Sequence, residues 1–111
     1  MSLAEAVWRL SPGIPHVEAR GLFEQMRSSA TSVPANIAEG YGRESTGSYI
    51  QFLKIARGSL KELETHILLA QRVRIFDSSQ TEPILLRSES VGKMLNALLR
   101  SIQAHKSTAE P

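Results

Sequence analysis

Lys54, Arg57 and Lys61 recur at steps of three and four, a spacing that sets three cations along one helix face. Arg72 and Arg74 carry positive charge on toward the end of the same segment, where cations also complement the helix dipole. Such a run reads either as a solvated helix face or as a surface for phosphate oxygens. Three phosphate contacts bind weakly, but the same stripe repeated around a homo-oligomer gives a steep salt dependence. No cluster of exposed aromatics is expected beside it, which argues against base stacking as the mode of any nucleic-acid contact.

Asn36, Glu39 and Arg43 form a second constellation, spaced to share one helix face, with Glu39 four residues ahead of Arg43 in the favourable order for an ion pair. One reading presents Arg43 to phosphate with Glu39 holding it. The other is a hydrogen-bonded network that fixes this helix against the next through Ser59 or Glu62, because buried polar groups are costly unless paired. Gly58-Ser59 in mid-helix costs about 1 kcal/mol of propensity relative to alanine. Close helix–helix packing explains that cost better than ligand approach does, so Gly58 is read as a packing position together with Pro34 and Gly40.

Catalytic patterns are lacking. Glu62 and His66 are spaced to share a metal, but di-iron bundles need a second Glu-x-x-His and further glutamates, and none is present. His16 and His105 lack partners at metal-ligand spacing. The turn Gly42-Arg-Glu-Ser-Thr-Gly47-Ser48 imitates a phosphate loop in its glycines only, since the lysine is missing and no strand precedes it. No nucleophile elbow or Ser-His-Asp arrangement is visible. The chain is read as a non-enzyme without cofactor, metal or evident small-molecule substrate.

The elements that must position these residues are helical. At 111 residues and 41% apolar content the chain supports one domain with one core. It has no cysteine, hence no disulfide framework, and its formal net charge is only +2, with nine of its thirteen cations arginine. No apolar run is long enough to span a bilayer, and the first ten residues lack signal-peptide order, so a cytoplasmic protein without a membrane partner is expected. Leu53, Ala56, Leu60, Leu63, Ile67 and Ala70 hold a heptad seam for a helix over 46–75, capped by Ser45 or Thr46 and about 40 Å long. Ile84, Val91, Leu95, Leu98 and Ile102 repeat the pattern over 82–105, with Ser88 in the gap and Pro83 in the first turn. Between them Asp77-Ser78-Ser79-Gln80 is read as a short polar connection.

Upstream, Leu22, Met26, Ala30, Val33, Ile37 and Tyr41 predict a helix over 20–43, kinked or broken at Pro34. Leu3, Val7 and Leu10 predict a stub helix over 1–11, stopped by Ser11-Pro12-Gly13 and Pro15, and 106–111 reads as a frayed tail. The fold class is therefore all-α: an up-down four-helix bundle with a short first helix. A stub cannot cover a 40 Å seam. Beside that seam a second stripe, Ile55, Ser59, Glu62, His66 and Leu69, suits another helix. Exposed apolar faces of that size aggregate, and self-assembly is the expected remedy.

The stretch Gln25-Met-Arg-Ser-Ser-Ala-Thr-Ser-Val-Pro-Ala-Asn-Ile-Ala-Glu-Gly-Tyr-Gly-Arg43 resembles the signature of the four-helix-bundle 23S ribosomal RNA intervening-sequence proteins. Leu53-Lys-Ile-Ala-Arg-Gly-Ser-Leu-Lys-Glu-Leu-Glu64 is similar to that family's second signature, and Lys93-Met-Leu-Asn-Ala-Leu-Leu99 to its last helix. The resemblance spans about residues 20–103. It implies a ring-shaped homo-oligomer, a pentamer, as in the related accessory variability protein of diversity-generating retroelements, which binds nucleic acid and a reverse transcriptase. The chain departs from the pattern at its stub first helix.

The sequence thus leads to a non-catalytic homo-oligomeric bundle that binds RNA or DNA, or assists a nucleic-acid enzyme, through Arg43, Lys54, Arg57, Lys61, Arg72 and Arg74. The alternative is a protein-interaction scaffold.

Overall fold

The seam Leu53, Ala56, Leu60, Leu63, Ile67 and Ala70 forms the spine of the molecule, each side chain at most 1% exposed. In the computed structural model, which describes residues 2–10 and 17–109, this spine lies on the third of four helices. They are α1 (Ser2–Trp8), α2 (Val17–Tyr41), α3 (Thr46–Arg72) and α4 (Ser78–Ala109). Among the described residues there is no strand, so the chain is all-α. The expected stops at Ser11-Pro12-Gly13 and Pro15 lie outside the described residues.

α2 packs on one side of α3 and α4 on the other, both antiparallel to it. Phe23 of α2 meets Phe76, just beyond α3, at 5.8 Å between ring centroids, while Gly40 near the other end of α2 abuts Tyr49 and Phe52. Likewise Asn96 of α4 bonds to Arg57, and Thr81 near the start of α4 bonds to Gln71 near the end of α3. No Cα of α2 comes within 8 Å of one in α4 among the described residues. What lies between them is α1, which buries Leu3 and Val7 there. The body measures 58 × 20 × 19 Å. Seven residues at 1.5 Å each cover about 10 Å of that length.

The helix ends are local chemistry. Ser45 caps α3, its side chain accepting from the Ser48 amide at 3.0 Å. α3 ends at Arg72 rather than at 75, because Arg74 takes a left-handed conformation (φ 63°). The Ile75 amide then donates to Ala70 at 2.9 Å and the Arg74 amide to Gln71 at 3.1 Å, a Schellman stop. Asp77 and Gln80 start α4 instead of looping before it. The Asp77 amide donates to the Gln80 side chain at 3.0 Å, one half of a capping box. α4 therefore begins at Ser78, not 82, and continues to Ala109, past the expected end at 105.

Of the kink or break expected at Pro34 the break does not occur, since α2 runs as one helix from Val17 to Tyr41 with Pro34 inside it, and a kink is consistent with that course. Met26, Ala30 and Val33 on one side of the proline, and Gly40 on the other, are all buried in the core or against α3. Packing along the whole face offsets the one backbone bond that proline removes.

Candidate nucleic-acid interface

Arg57 donates to the Asn96 side chain at 3.1 Å, and this bond sets the register of α3 against α4. Gly92 confirms it. A Cβ there would stand 3.4 Å from Leu60. Lys54 and Lys61 flank Arg57 at minus three and plus four, and Lys93 and Arg100 flank Asn96 at the same offsets. Antiparallel packing consequently places Lys54 opposite Arg100 and Lys61 opposite Lys93. Five cations from two helices share one outer face. Lys61 is paired with the half-buried Glu64 at 3.6 Å and Lys93 with the exposed Glu89 at 3.4 Å, surface ion pairs of little strength. No carboxylate pairs with Lys54 or Arg100 among the described residues.

Sequence spacing thus finds three members of this face and misses Lys93 and Arg100. Arg57 also differs from its neighbours: it is half-buried and tied to α4, whereas Lys54 and Lys61 are exposed. The other three candidate arginines lie elsewhere. Arg72 is exposed at the end of α3, Arg74 terminates that helix, and Arg43 sits where α2 gives way to the turn before α3.

The expected polar network divides in two. Asn36 donates to the Ser32 hydroxyl at 2.9 Å and the Ser32 carbonyl at 2.8 Å, and Ser32 bonds to Ser59 across the helices at 2.8 Å. Ser32 is the missing link that spacing did not single out. Glu39 and Arg43 pair with each other apart from this group, and the Arg43 guanidinium lies 4.9 Å from the centre of the Phe52 ring. Glu62 is exposed and joins neither.

Within the chain Gly58 packs against no other helix: nothing lies within 4 Å of where its Cβ would be. It faces outward on α3 with Lys54 and Lys61. Gly40 is the glycine at a close approach, its Cβ position only 2.8 Å from Phe52 Cβ. Of the second stripe on α3, Ser59 and His66 are half-buried, while Ile55, Glu62 and Leu69 remain exposed.

Of the three aromatic side chains near the α2–α3 turn only Tyr41 is exposed, with Tyr49 and Phe52 half-buried beside it, so one exposed ring rather than an exposed cluster is present there. Tyr41 and Tyr49 meet edge to face, with centroids 6.3 Å apart, beside Phe52 and Arg43. Eight and eleven positions separate Tyr41 from Tyr49 and Phe52 in the chain, and only the α2–α3 turn brings them together. His66 and Glu62 gain no further ligand, and no group of three metal-ligating side chains occurs among the described residues. No helix there is long and apolar enough to cross a membrane.

The model of the 23S rRNA-intervening sequence protein family matches residues 1–97, from α1 through most of α4. The chain belongs to that family. The match begins before residue 20, so α1 falls within the family's extent. Among solved structures the chain is similar to a protein of unknown function from the S23 ribosomal protein family of Bacteroides thetaiotaomicron VPI-5482, whose crystal structure is at 1.70 Å. The two share 26% identity and a TM-score of 0.71 over 88% of this chain and 85% of the other. No curated protein matches. Neither the family description nor the neighbour's names an enzymatic activity.

Proposed function

We propose that this family member is a non-catalytic, homo-oligomeric bundle that binds RNA or DNA through the outer face of α3 and α4, as an accessory to a nucleic-acid enzyme. The observation that carries the reading is the gathering of Lys54, Arg57, Lys61, Lys93 and Arg100 around the Arg57–Asn96 bond. Rows of cations on two adjacent antiparallel helices suit a phosphate backbone, which is bound by charge and without base readout. Assembly multiplies that face. Apolar side chains on the same surface support assembly: Leu68 lies two turns beyond Lys61, and Leu86 two turns before Lys93, 51% and 63% exposed. A pentamer is the subunit number that the family resemblance suggests.

The test is a gel-shift assay at two salt concentrations on the quadruple variant Lys54→Ala, Lys61→Ala, Lys93→Ala, Arg100→Ala. Arg57 is left in place because it ties α3 to α4. Each lost phosphate contact lowers the salt slope by about one unit, so affinity falls steeply at low salt and the slope flattens. Unchanged affinity in a folded variant would end this reading. The protein-interaction scaffold is favoured by Leu68 and Leu86 alone; it predicts that Leu68→Glu abolishes partner capture while the quadruple variant does not.

A further inference from the structure

Three of the chain's six aromatic residues gather at one end of the bundle. Phe23, Phe76 and Trp8 are used elsewhere: the two phenylalanines pack on each other in the core, and Trp8 is held by Thr31 and Arg27. Tyr41, the last residue of α2, has no such employment. It is 80% exposed, more than any other large apolar side chain described.

Its position is nonetheless fixed. Gly40 lets α2 close directly onto α3, since a Cβ there would stand 3.0 Å from the Tyr49 ring and 2.8 Å from Phe52 Cβ. Tyr49 and Phe52 are half-buried beneath that contact. Tyr41 then leans on Tyr49 at an interplanar angle of 79°, supported on one side and open to solvent on the rest. A ring held in this way is a stacking platform, worth far more than a free one because little freedom is lost on binding. Two residues on, Arg43 lies over Phe52 with its side chain 47% exposed, and Glu39 fixes its direction.

An aromatic face with a guanidinium beside it fits one nucleotide, the base on the ring and the phosphate at the cation. Glu39 already satisfies part of Arg43's charge, so the ring carries most of such a contact. Bases inside a double helix are stacked and paired, leaving no face to offer. The occupant must therefore be unpaired. The tip stands at the same end of the molecule as Lys54 and Arg100, because Tyr49 and Phe52 precede Lys54 by less than two turns of α3.

We propose that Tyr41, backed by Tyr49 and flanked by Arg43, receives an unpaired base of a nucleic acid whose paired portion lies on the α3–α4 face. The substrate class is then a helix with a single-stranded extension rather than a blunt duplex. This rests on the reading of that face given above, and the two are separable by experiment.

Affinity is measured for three labelled RNAs: a blunt hairpin whose strands are joined by a non-nucleotide linker in place of a loop, the same hairpin with a short single-stranded extension, and the extension alone. The extension strengthens hairpin binding by about tenfold, equivalent to about 1.4 kcal/mol. Tyr41→Ala removes that gain while leaving the blunt-hairpin affinity and the solution mass unchanged, and Tyr41→Trp retains it. Equal affinity for the two hairpins, or a gain that survives in Tyr41→Ala, overturns the assignment. If the hairpins bind equally and the quadruple basic variant binds neither, the tip alone is excluded. If the native protein binds no RNA or DNA probe, both readings fall.

Discussion

Arg27 of α2 makes three contacts at once, and the two with Trp8 tie α1 to α2. Its guanidinium lies 4.0 Å from the centre of the Phe23 ring and 4.6 Å from that of Trp8, and it donates to the Trp8 carbonyl at 3.1 Å. That carbonyl belongs to the end of α1, where backbone acceptors lack helical partners and a cation suits the dipole. Arg27→Ala should therefore cost about 2 kcal/mol and undock α1. Trp8 is the sole tryptophan, so a red shift of its emission, alongside a lower denaturation midpoint, reports the change directly. Ser88 offers the opposite case. It is fully buried and its hydroxyl has no hydrogen-bond partner, so Ser88→Ala should raise the urea midpoint by about 1 kcal/mol of stability. Arg74 holds a left-handed backbone that favours glycine; Arg74→Gly should likewise stabilise by about 1 kcal/mol, measured in the same way. Spacing could not reveal that role, because a charged residue at the end of a helical pattern reads as part of the helix, whereas φ is set by how the chain must leave it.

Among the helices, two glycines make opposite predictions. Gly40→Ala puts a methyl 2.8 Å from Phe52 Cβ, an atom fixed to the α3 backbone, so α2 must move and stability should fall by about 2 kcal/mol. Gly58→Ala meets nothing and should gain about 1 kcal/mol of helix propensity. Thermal melting of the pair decides between them, and a matching loss at Gly58 would mean that another chain packs there. The helices themselves were legible because their apolar periods are long and regular, above all on α3. Their ends were less so. Asp77-Ser-Ser-Gln80 carries the composition of a loop and the spacing of a capping box, and the structure uses the second. Pro34 reads as a kink or a break in isolation; burial on both sides of it keeps α2 one helix.

Across the whole molecule the candidate face was half legible. Lys54, Arg57 and Lys61 announce themselves by spacing on one helix, but Lys93 and Arg100 join them only through a register between helices that no single-chain pattern encodes. The available signal was symmetry: both Arg57 and Asn96 have cations at minus three and plus four. The aromatic tip was hidden for the same reason. Leu68 and Leu86, exposed on that face, argue for a partner over them, and Leu68→Glu with Leu86→Glu should lower the solution mass while leaving the helical content by circular dichroism unchanged. A compact single chain at high dilution in the unmutated protein would remove the case for assembly. The brevity of α1 has a mechanical outcome. With α2 and α4 bridged over only about a sixth of a 58 Å body, the two outer rods behave as covers of a book bound along α3 and fastened by one clasp. Bending stiffness is then concentrated at the clasp, and the free margins beyond it are where amide protons of α2 and α4 should exchange first.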